Sequence, residues 1–75
     1  MENLDHIFVF KTEISTVEET VLLKNIFLNR PEVQQWSIDL EDIDRVLRIV
    51  SATLGCNEII ALLQHFGLNC WDLDA

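Results

Sequence analysis

Basic residues are scarce in this sequence. Five lysines and arginines stand against 13 aspartates and glutamates, which gives a formal net charge of −8. A field of that sign repels phosphate backbones and anionic lipid. We therefore expect no nucleic acid and no membrane surface among the partners, whereas a basic protein or a cation is electrostatically acceptable.

Long apolar runs and a basic leader are also missing. No stretch reaches the ~18 apolar residues of a membrane-spanning helix, and the first five residues, Met-Glu-Asn-Leu-Asp, are acidic where a signal peptide is basic. Both features predict a cytoplasmic protein. The length of 75 residues, with 49% hydrophobic and 24% charged residues, predicts one folded domain over residues 1–75.

Cysteine is limited to Cys56 and Cys70, whose spacing of 14 positions matches no metal-ligand or redox motif. A predicted helix between them separates the two residues by ~15 Å, beyond the ~7 Å limit for Cα atoms joined by a disulfide. Cys56 immediately precedes that helix, whose dipole can lower the pKa of a thiol and make it reactive. The favoured interpretation is an inert small residue at a strand-to-helix turn.

The first part of the chain predicts a strand followed by a helix. Residues 6–11 contain an unbroken run of β-branched and aromatic residues, typical of a central strand. Ser15 and Thr16 each have a glutamate three residues on, which predicts a capping box and a helix over residues 17–29, ended by Pro31. The apolar face of this helix comprises Thr20, Leu23, Ile26 and Phe27.

The middle of the chain predicts a β-hairpin. Strands over residues 33–40 and 45–50 flank an acidic turn at residues 41–44. Because Arg48 is not expected to be buried unpaired, its neighbours at alternate positions should face the helices. The predicted inward residues are Trp36, Ile38, Leu40, Leu47 and Ile49, and Val46 and Val50 share the outer face with Arg48.

The last part predicts a second helix and a short strand. The helix begins near Asn57, a good cap, and ends at Gly67, after which residues 68–73 supply a strand containing Trp71. Ile59, Leu62, Leu63 and Phe66 recur at the spacing of one helical face. The order of elements predicts an α+β, ferredoxin-like βαββαβ fold, with a four-stranded antiparallel sheet and both helices on one face.

Two segments resemble heavy-metal-associated domains. Residues 31–40 read Pro-Glu-Val-Gln-Gln-Trp-Ser-Ile-Asp-Leu, similar to the family's Pro-Gly-Val-x-x-Val-x-Val-Asp-Leu. Residues 59–68 read Ile-x-x-Leu-Leu-x-x-Phe-Gly-Leu, similar to its Ile-x-x-Ala-Ile-x-x-Ala-Gly-Tyr. With the order of elements, the resemblance covers nearly the whole chain. These are scaffold motifs, so the resemblance implies the same fold rather than a function.

The metal-binding motif of that family is degenerate here. In the family, Gly-Met-Thr-Cys-x-x-Cys before the first helix holds a soft cation such as copper(I). Counting back from Pro31 places Ile14 at the methionine, Thr16 at the first cysteine and Glu19 at the second. A shift of one residue gives Ser15 and Glu18, which also lack sulfur. We therefore expect neither a bound metal nor a cofactor.

Other candidate chemistry is sparse. His6 and His65 stand singly, without the spacing of a metal-binding pair. The carboxylates of residues 39–44 could form a weak site for a hard cation, but a solvated turn is the favoured interpretation. Nothing in the spacing of residues indicates an enzyme.

The outer face of the predicted sheet is the candidate functional surface. Val46 and Val50 project there, and Ile7, Phe8, Val9 and Phe10 must place two apolar side chains outward whichever parity applies. A small core also gains from burial in a complex. We hypothesise a non-catalytic module that binds a protein partner or forms a homodimer through this face. The alternative is a heavy-metal carrier or sensor that uses Cys56, a histidine or carboxylates.

Overall fold

The computed structural model describes residues 6–73 and consists of one sheet with two helices. The strands follow the order β2-β3-β1-β4, and each neighbouring pair is antiparallel. This arrangement confirms the predicted α+β, ferredoxin-like fold. The elements are β1 (Ile7–Thr12), α1 (Val17–Leu28), β2 (Val33–Asp39), β3 (Val46–Ser51), α2 (Cys56–His65) and β4 (Cys70–Asp72).

The core lies between the sheet and the helices. Apolar residues that alternate along the strands meet residues spaced three or four apart on the helices, because these periods keep one face of each element apolar. Leu47 and Ile49 are fully buried, as predicted, and Phe10 joins them from β1. The buried cluster comprises Phe10, Ile14, Leu23, Ile26, Phe27, Leu47, Ile49, Ile59, Leu63, Leu68 and Cys70.

A capping box begins α1. The Thr16 hydroxyl accepts a hydrogen bond from the Glu19 N–H at 3.1 Å, and Glu19 Oε1 accepts from the Ser15 and Thr16 N–H groups at 3.0 and 3.1 Å. Of the two predicted caps, Thr16 is therefore the N-cap. These bonds satisfy backbone donors that a helix N-terminus otherwise leaves without partners.

The ends of α2 are set by two glycines. The helix begins at Cys56 rather than near Asn57, because the Glu58 carboxylate accepts from the N–H of the N-cap Gly55 at 2.8 Å. At the other end Gly67 adopts a left-handed φ of 81°. The Leu68 N–H then donates to the Leu63 carbonyl at 2.9 Å, and the chain reverses in a Schellman motif.

The hairpin turn shortens β2. Asp39 Oδ1 accepts from the N–H groups of Glu41 and Asp42 at 3.0 and 3.3 Å, so the turn begins one residue earlier than predicted. Leu40 therefore lies outside the strand and is 39% exposed, and its prediction as an inward residue is wrong. The turn closes at Arg45, which has a φ of 48° and donates from Nη1 to the Leu40 carbonyl at 2.9 Å.

Neither helix of the described chain could cross a membrane. None within residues 6–73 is both long enough and apolar enough to span a bilayer.

Candidate functional site: the open face of the sheet

Arg48 lies at the middle of the sheet face that the helices leave open. Its Cα pairs with that of Val9 on β1 and with that of Ser37 on β2. It points away from the core because Leu47 and Ile49, on either side of it in β3, are buried beneath the helices. The next row across the same face contains Gln35, Val50 and Ile7.

The alternation along β1 divides the predicted interaction residues. Phe10 is fully buried and Phe8 packs against the core cluster, so both lie on the helix side of the sheet. Ile7 and Val9 occupy the intervening positions, and Ile7 is 40% exposed on the open side. Of the four candidates in β1, only Ile7 and Val9 therefore belong to the open face.

The exposure of individual side chains changes which residues the open face offers to a partner. Val46 is on the same side as Arg48 and Val50 but is only 5% exposed, so it offers little surface to a partner. Trp71 pairs with Lys11 across β1 and β4 and is 47% exposed. A tryptophan ring, with its large apolar area and one N–H donor, is a common anchor in protein interfaces. We therefore include Trp71 in the candidate site and leave Val46 out.

A shallow depression with a volume of about 580 Å³ lies beside Arg48 on this face. Both apolar side chains and polar groups line it. In binding sites, apolar groups supply the buried area and polar groups fix the orientation of what binds. The lining residues are Ile7, Gln35, Trp36, Ser37, Arg48 and Val50.

Arg48 differs from the other cations near the sheet in the contacts of its side chain. Within residues 6–73 its guanidinium makes no hydrogen bond and no ion pair. Lys11, in contrast, contacts Asp44 with 3.7 Å between Nζ and Oδ1, and Arg45 donates to a backbone carbonyl. A guanidinium with five unused donors amid apolar neighbours is suited to a carboxylate supplied from outside.

The loop that the resemblance aligns with the family's metal-binding motif caps helix α1. Glu19 Oε1 also accepts from the Thr16 hydroxyl at 3.1 Å, in addition to the two backbone N–H groups. The bond from the Ser15 N–H is the main cause that lowers the pKa of Glu19. Desolvation opposes it, and the bonds from the Thr16 hydroxyl and N–H lower the pKa further. Copper(I) prefers sulfur ligands. These oxygen donors do not fit the soft cation that the resemblance implies.

The two cysteines lie on one flank of the molecule. The chain reverses at Gly67, so β4 runs back beside α2, and Cys56 Sγ is 3.5 Å from Asp72 Oδ2. The prediction that the thiols lie at opposite ends of α2 is therefore wrong, because the length of the helix separates Cys56 from Gly67, not from Cys70. Both cysteines are free thiols.

The environment of both thiols disfavours the thiolate. Desolvation, followed by the hydrogen bond and charge of Asp72, raises the pKa of Cys56. Burial, with a further contribution from Cys56, raises the pKa of Cys70 to about 11. Since the thiolate is the nucleophile and the metal ligand, these shifts weigh against Cys56 as a reactive thiol.

The remaining candidate ligands are dispersed. His65 is exposed on α2 and its ring meets that of Phe66 edge to face, with 5.1 Å between centroids. The Asp39 and Asp42 carboxylates accept backbone N–H groups of their own turn. Among residues 6–73, no three histidine, cysteine, aspartate or glutamate side chains are grouped closely enough to hold a metal ion.

No family model, no curated protein and no solved structure matches this chain. The resemblance to heavy-metal-associated domains therefore stays a prediction. Sequence patterns gave Arg48 no role beyond marking the outer face of β3. Its place on that face followed from alternation, but its central position depends on the pairing register.

Proposed function

We propose that this chain is a non-catalytic interaction module whose open sheet face binds a protein partner through Arg48 and the apolar residues beside it. The observation that carries the proposal is the Arg48 guanidinium at the centre of an exposed, partly apolar face, where no residue between 6 and 73 pairs with it. In a chain of net charge −8, two of the five basic residues, Lys11 and Arg48, lie on this face. Lys11 is already paired with Asp44, so Arg48 is the cation that the described part of the chain leaves for a partner.

The charge pattern indicates the chemistry of the partner. A partner carboxylate beside aliphatic side chains would pair with Arg48 while its apolar neighbours cover Ile7 and Val50. Arginine can pair with a carboxylate through two parallel hydrogen bonds. Such a pair fixes the orientation of the partner, while burial of the apolar residues contributes binding energy. Exposed apolar area alone would bind with less selectivity.

The test is capture of partners from cell extract on the immobilised chain, followed by purification of each captured protein and calorimetric measurement of its affinity. Arg48→Ala should weaken binding about tenfold or more, because a hydrogen bond to a charged group contributes about 1.5–3 kcal/mol. Val50→Asp should abolish it by placing a carboxylate where the partner's carboxylate binds.

Lys24→Ala is the matched control, since it removes one exposed cation from α1 instead of the sheet. It should leave the affinity within about twofold, as expected for a surface charge outside an interface. A purified partner that binds Arg48→Ala and the unmodified chain equally well would contradict the proposal.

We also propose that the chain is a heavy-metal-associated-like domain in which the metal loop serves folding alone. The three hydrogen bonds that Glu19 Oε1 accepts support this. The reduced protein, mixed with copper(I) and desalted, should retain no stoichiometric copper. The double substitution Thr16→Cys and Glu19→Cys should gain copper(I) binding, because it supplies two thiolates at the family's spacing. Tight copper binding by the unmodified chain would contradict this part of the proposal.

A further inference from the structure

The two edges of the sheet differ in how much backbone they leave unpaired. β4 has three residues, whereas β2 has seven and, among residues 6–73, pairs with β3 alone. Edge strands are commonly protected by lysine, proline, a bulge or short length. β2 contains no lysine, arginine or proline, and its register irregularity is confined to the start, between Val33 and Gln35. Residues 35–39 therefore present a regular, open edge.

Helix α1 carries apolar residues on its solvent side. Val17, Val21 and Leu28 are 74%, 50% and 71% exposed. Their spacing of four and seven residues aligns them in one line along the helix, which Lys24 also joins. We call Val17, Val21 and Leu28 the α1 stripe. A helix that only needed to cover the sheet would expose polar residues there.

The α1 stripe and the β2 edge lie on the same flank. The Phe27 and Trp36 rings are 5.2 Å apart, which places α1 above β2, and α2 packs beside β4 at the opposite edge. The side of α1 that faces α2 does not include the α1 stripe. It lines a cleft with Leu22, Asn25, Ile26 and Asn29 of α1 opposite Leu62 and Phe66.

We propose that a second copy of this chain docks on this flank, with β2 pairing antiparallel to the partner's β2 about a two-fold axis at Ser37 and the two α1 stripes packing together. The result is a continuous eight-stranded sheet. This inference is independent of the proposed function, because it leaves both open faces exposed on the same side of the dimer.

The sequence of β2 is self-complementary in this register. On the helix side, Trp36 lies opposite the partner's Ile38, an aromatic and β-branched pair of the kind that stabilises neighbouring strands. On the open side, Gln35 lies opposite the partner's Asp39, so an amide can donate to a carboxylate. No two like charges oppose each other within the paired strands. A two-fold axis repeats each of these contacts.

A dimer on this flank must bury enough surface to be stable and must keep its negative charges apart. A standard interface takes ~800 Å² from each partner, about a sixth of the 5096 Å² surface of this chain. Strand pairing alone covers less than that, so the α1 stripe must take part. Antiparallel pairing sends the two acidic turns at residues 39–44 to opposite ends of the interface. Because each copy carries a charge of −8, added salt should strengthen the dimer.

The test is sedimentation equilibrium of the full chain from low to high micromolar concentration. We expect a monomer–dimer equilibrium that tightens with salt. Ser37→Lys should weaken the dimer about tenfold or more by opposing two lysines at the axis, and Leu28→Asp should do so by placing a charge in the stripe. Gln35→Lys should tighten it about threefold or more, since each lysine then faces the partner's Asp39.

Matched variants distinguish this interface from a general effect of charge and from association through the open face. Gln64→Lys makes the same change of charge on α2 and should leave the dissociation constant within about twofold. Arg48→Ala should also leave it unchanged. A monomer at every concentration would overturn the proposal, as would a dimer that Ser37→Lys does not weaken. A dimer that Arg48→Ala disrupts would place the second copy on the open face and would equally overturn it.

Discussion

The two helices cover the same sheet but distribute their apolar residues differently. α2 buries Ile59 and Leu63 completely and presents Asn57, Glu58 and Gln64 to solvent. α1 buries Leu23, Ile26 and Phe27 and also exposes the α1 stripe. A helix that is apolar on one side only has one packing task, whereas apolar residues on the opposite side indicate a second contact. The comparison therefore distinguishes α2, whose large exposed apolar residue is Phe66 at its C-terminal cap, from α1, which exposes three apolar residues along its length.

The largest expected effect is on the reactivity of Cys70, which is buried on the flank of α2 and β4. A rise of its pKa from 9.0 to about 11 lowers its thiolate fraction about a hundredfold near neutral pH, and its side chain is buried. Alkylation by iodoacetamide at pH 8, followed by mass spectrometry, should modify half-buried Cys56 well before Cys70. Equal rates for the two thiols would mean that this flank opens readily.

The next largest effect contrasts a buried leucine of α2 with the exposed leucine of α1. Leu63→Ala should lower the free energy of unfolding by about 2–5 kcal/mol, because it removes buried methyl groups and leaves a cavity. Leu28→Ala should change it by less than about 0.5 kcal/mol when measured below the concentration at which the chain associates. Urea denaturation followed by tryptophan fluorescence measures both. A similar loss in the two variants would remove the distinction between the flanks.

A smaller effect tests the N-termini of the two helices. Thr16→Ala should cost about 1 kcal/mol of unfolding free energy, because it removes the side-chain cap of α1. α2 has a glycine N-cap, so Gly55→Ser should gain a few tenths of a kcal/mol. The added Cβ would lie 3.3 Å from Glu58 Oε1, the mobile end of a side chain, which can shift. Thermal unfolding by circular dichroism compares the two variants, and a destabilised Gly55→Ser would contradict the expectation.

The smallest effect is the dependence of α1 on pH. The folded state lowers the pKa of Glu19, so its carboxylate contributes stability that is present above the unfolded pKa of about 4.3 and is lost as pH falls through the lower folded value. Glu19→Gln should therefore be slightly less stable than the unmodified chain near neutral pH and equal to it in acid. A stability difference that grows on acidification would contradict this sign.

Local signals predicted most of the fold. The glutamate three residues after Thr16, the proline after α1 and the glycine after α2 each act through neighbouring backbone, so they can be read in the sequence. Alternation in β3 also predicted which side faces the helices. Placing the other set of alternate residues inward would bury Arg48, which is costly. In β1, residues 7–10 are all apolar and contain no such marker. The pairing of Val9 with Arg48 decides the parity there.

The candidate site was less predictable because it depends on contacts distant in sequence. Val46 has the parity of an outer residue, and only the folded arrangement shows that it is covered. Cys56 lies close to Asp72 because the chain reverses at Gly67. An estimate of the distance from the length of the helix alone does not include this reversal. Leu40 lies outside β2 because the Asp39 side chain accepts hydrogen bonds from the turn. The alternating pattern of a strand does not show whether the strand ends at Asp39 or continues through Leu40.

The position of β4 has a consequence for how the chain reaches its final form. β2 and β3 are joined by a short turn, whereas Phe10 of β1 pairs with Asp72 of β4 across nearly all of the described chain. Closing a loop costs more entropy as it lengthens, and contacts distant in sequence form late. During synthesis the hairpin can assemble early, but β1 must wait with one side unpaired until residue 72 leaves the ribosome. We expect the nascent chain to depend on rapid completion or on a chaperone over that interval.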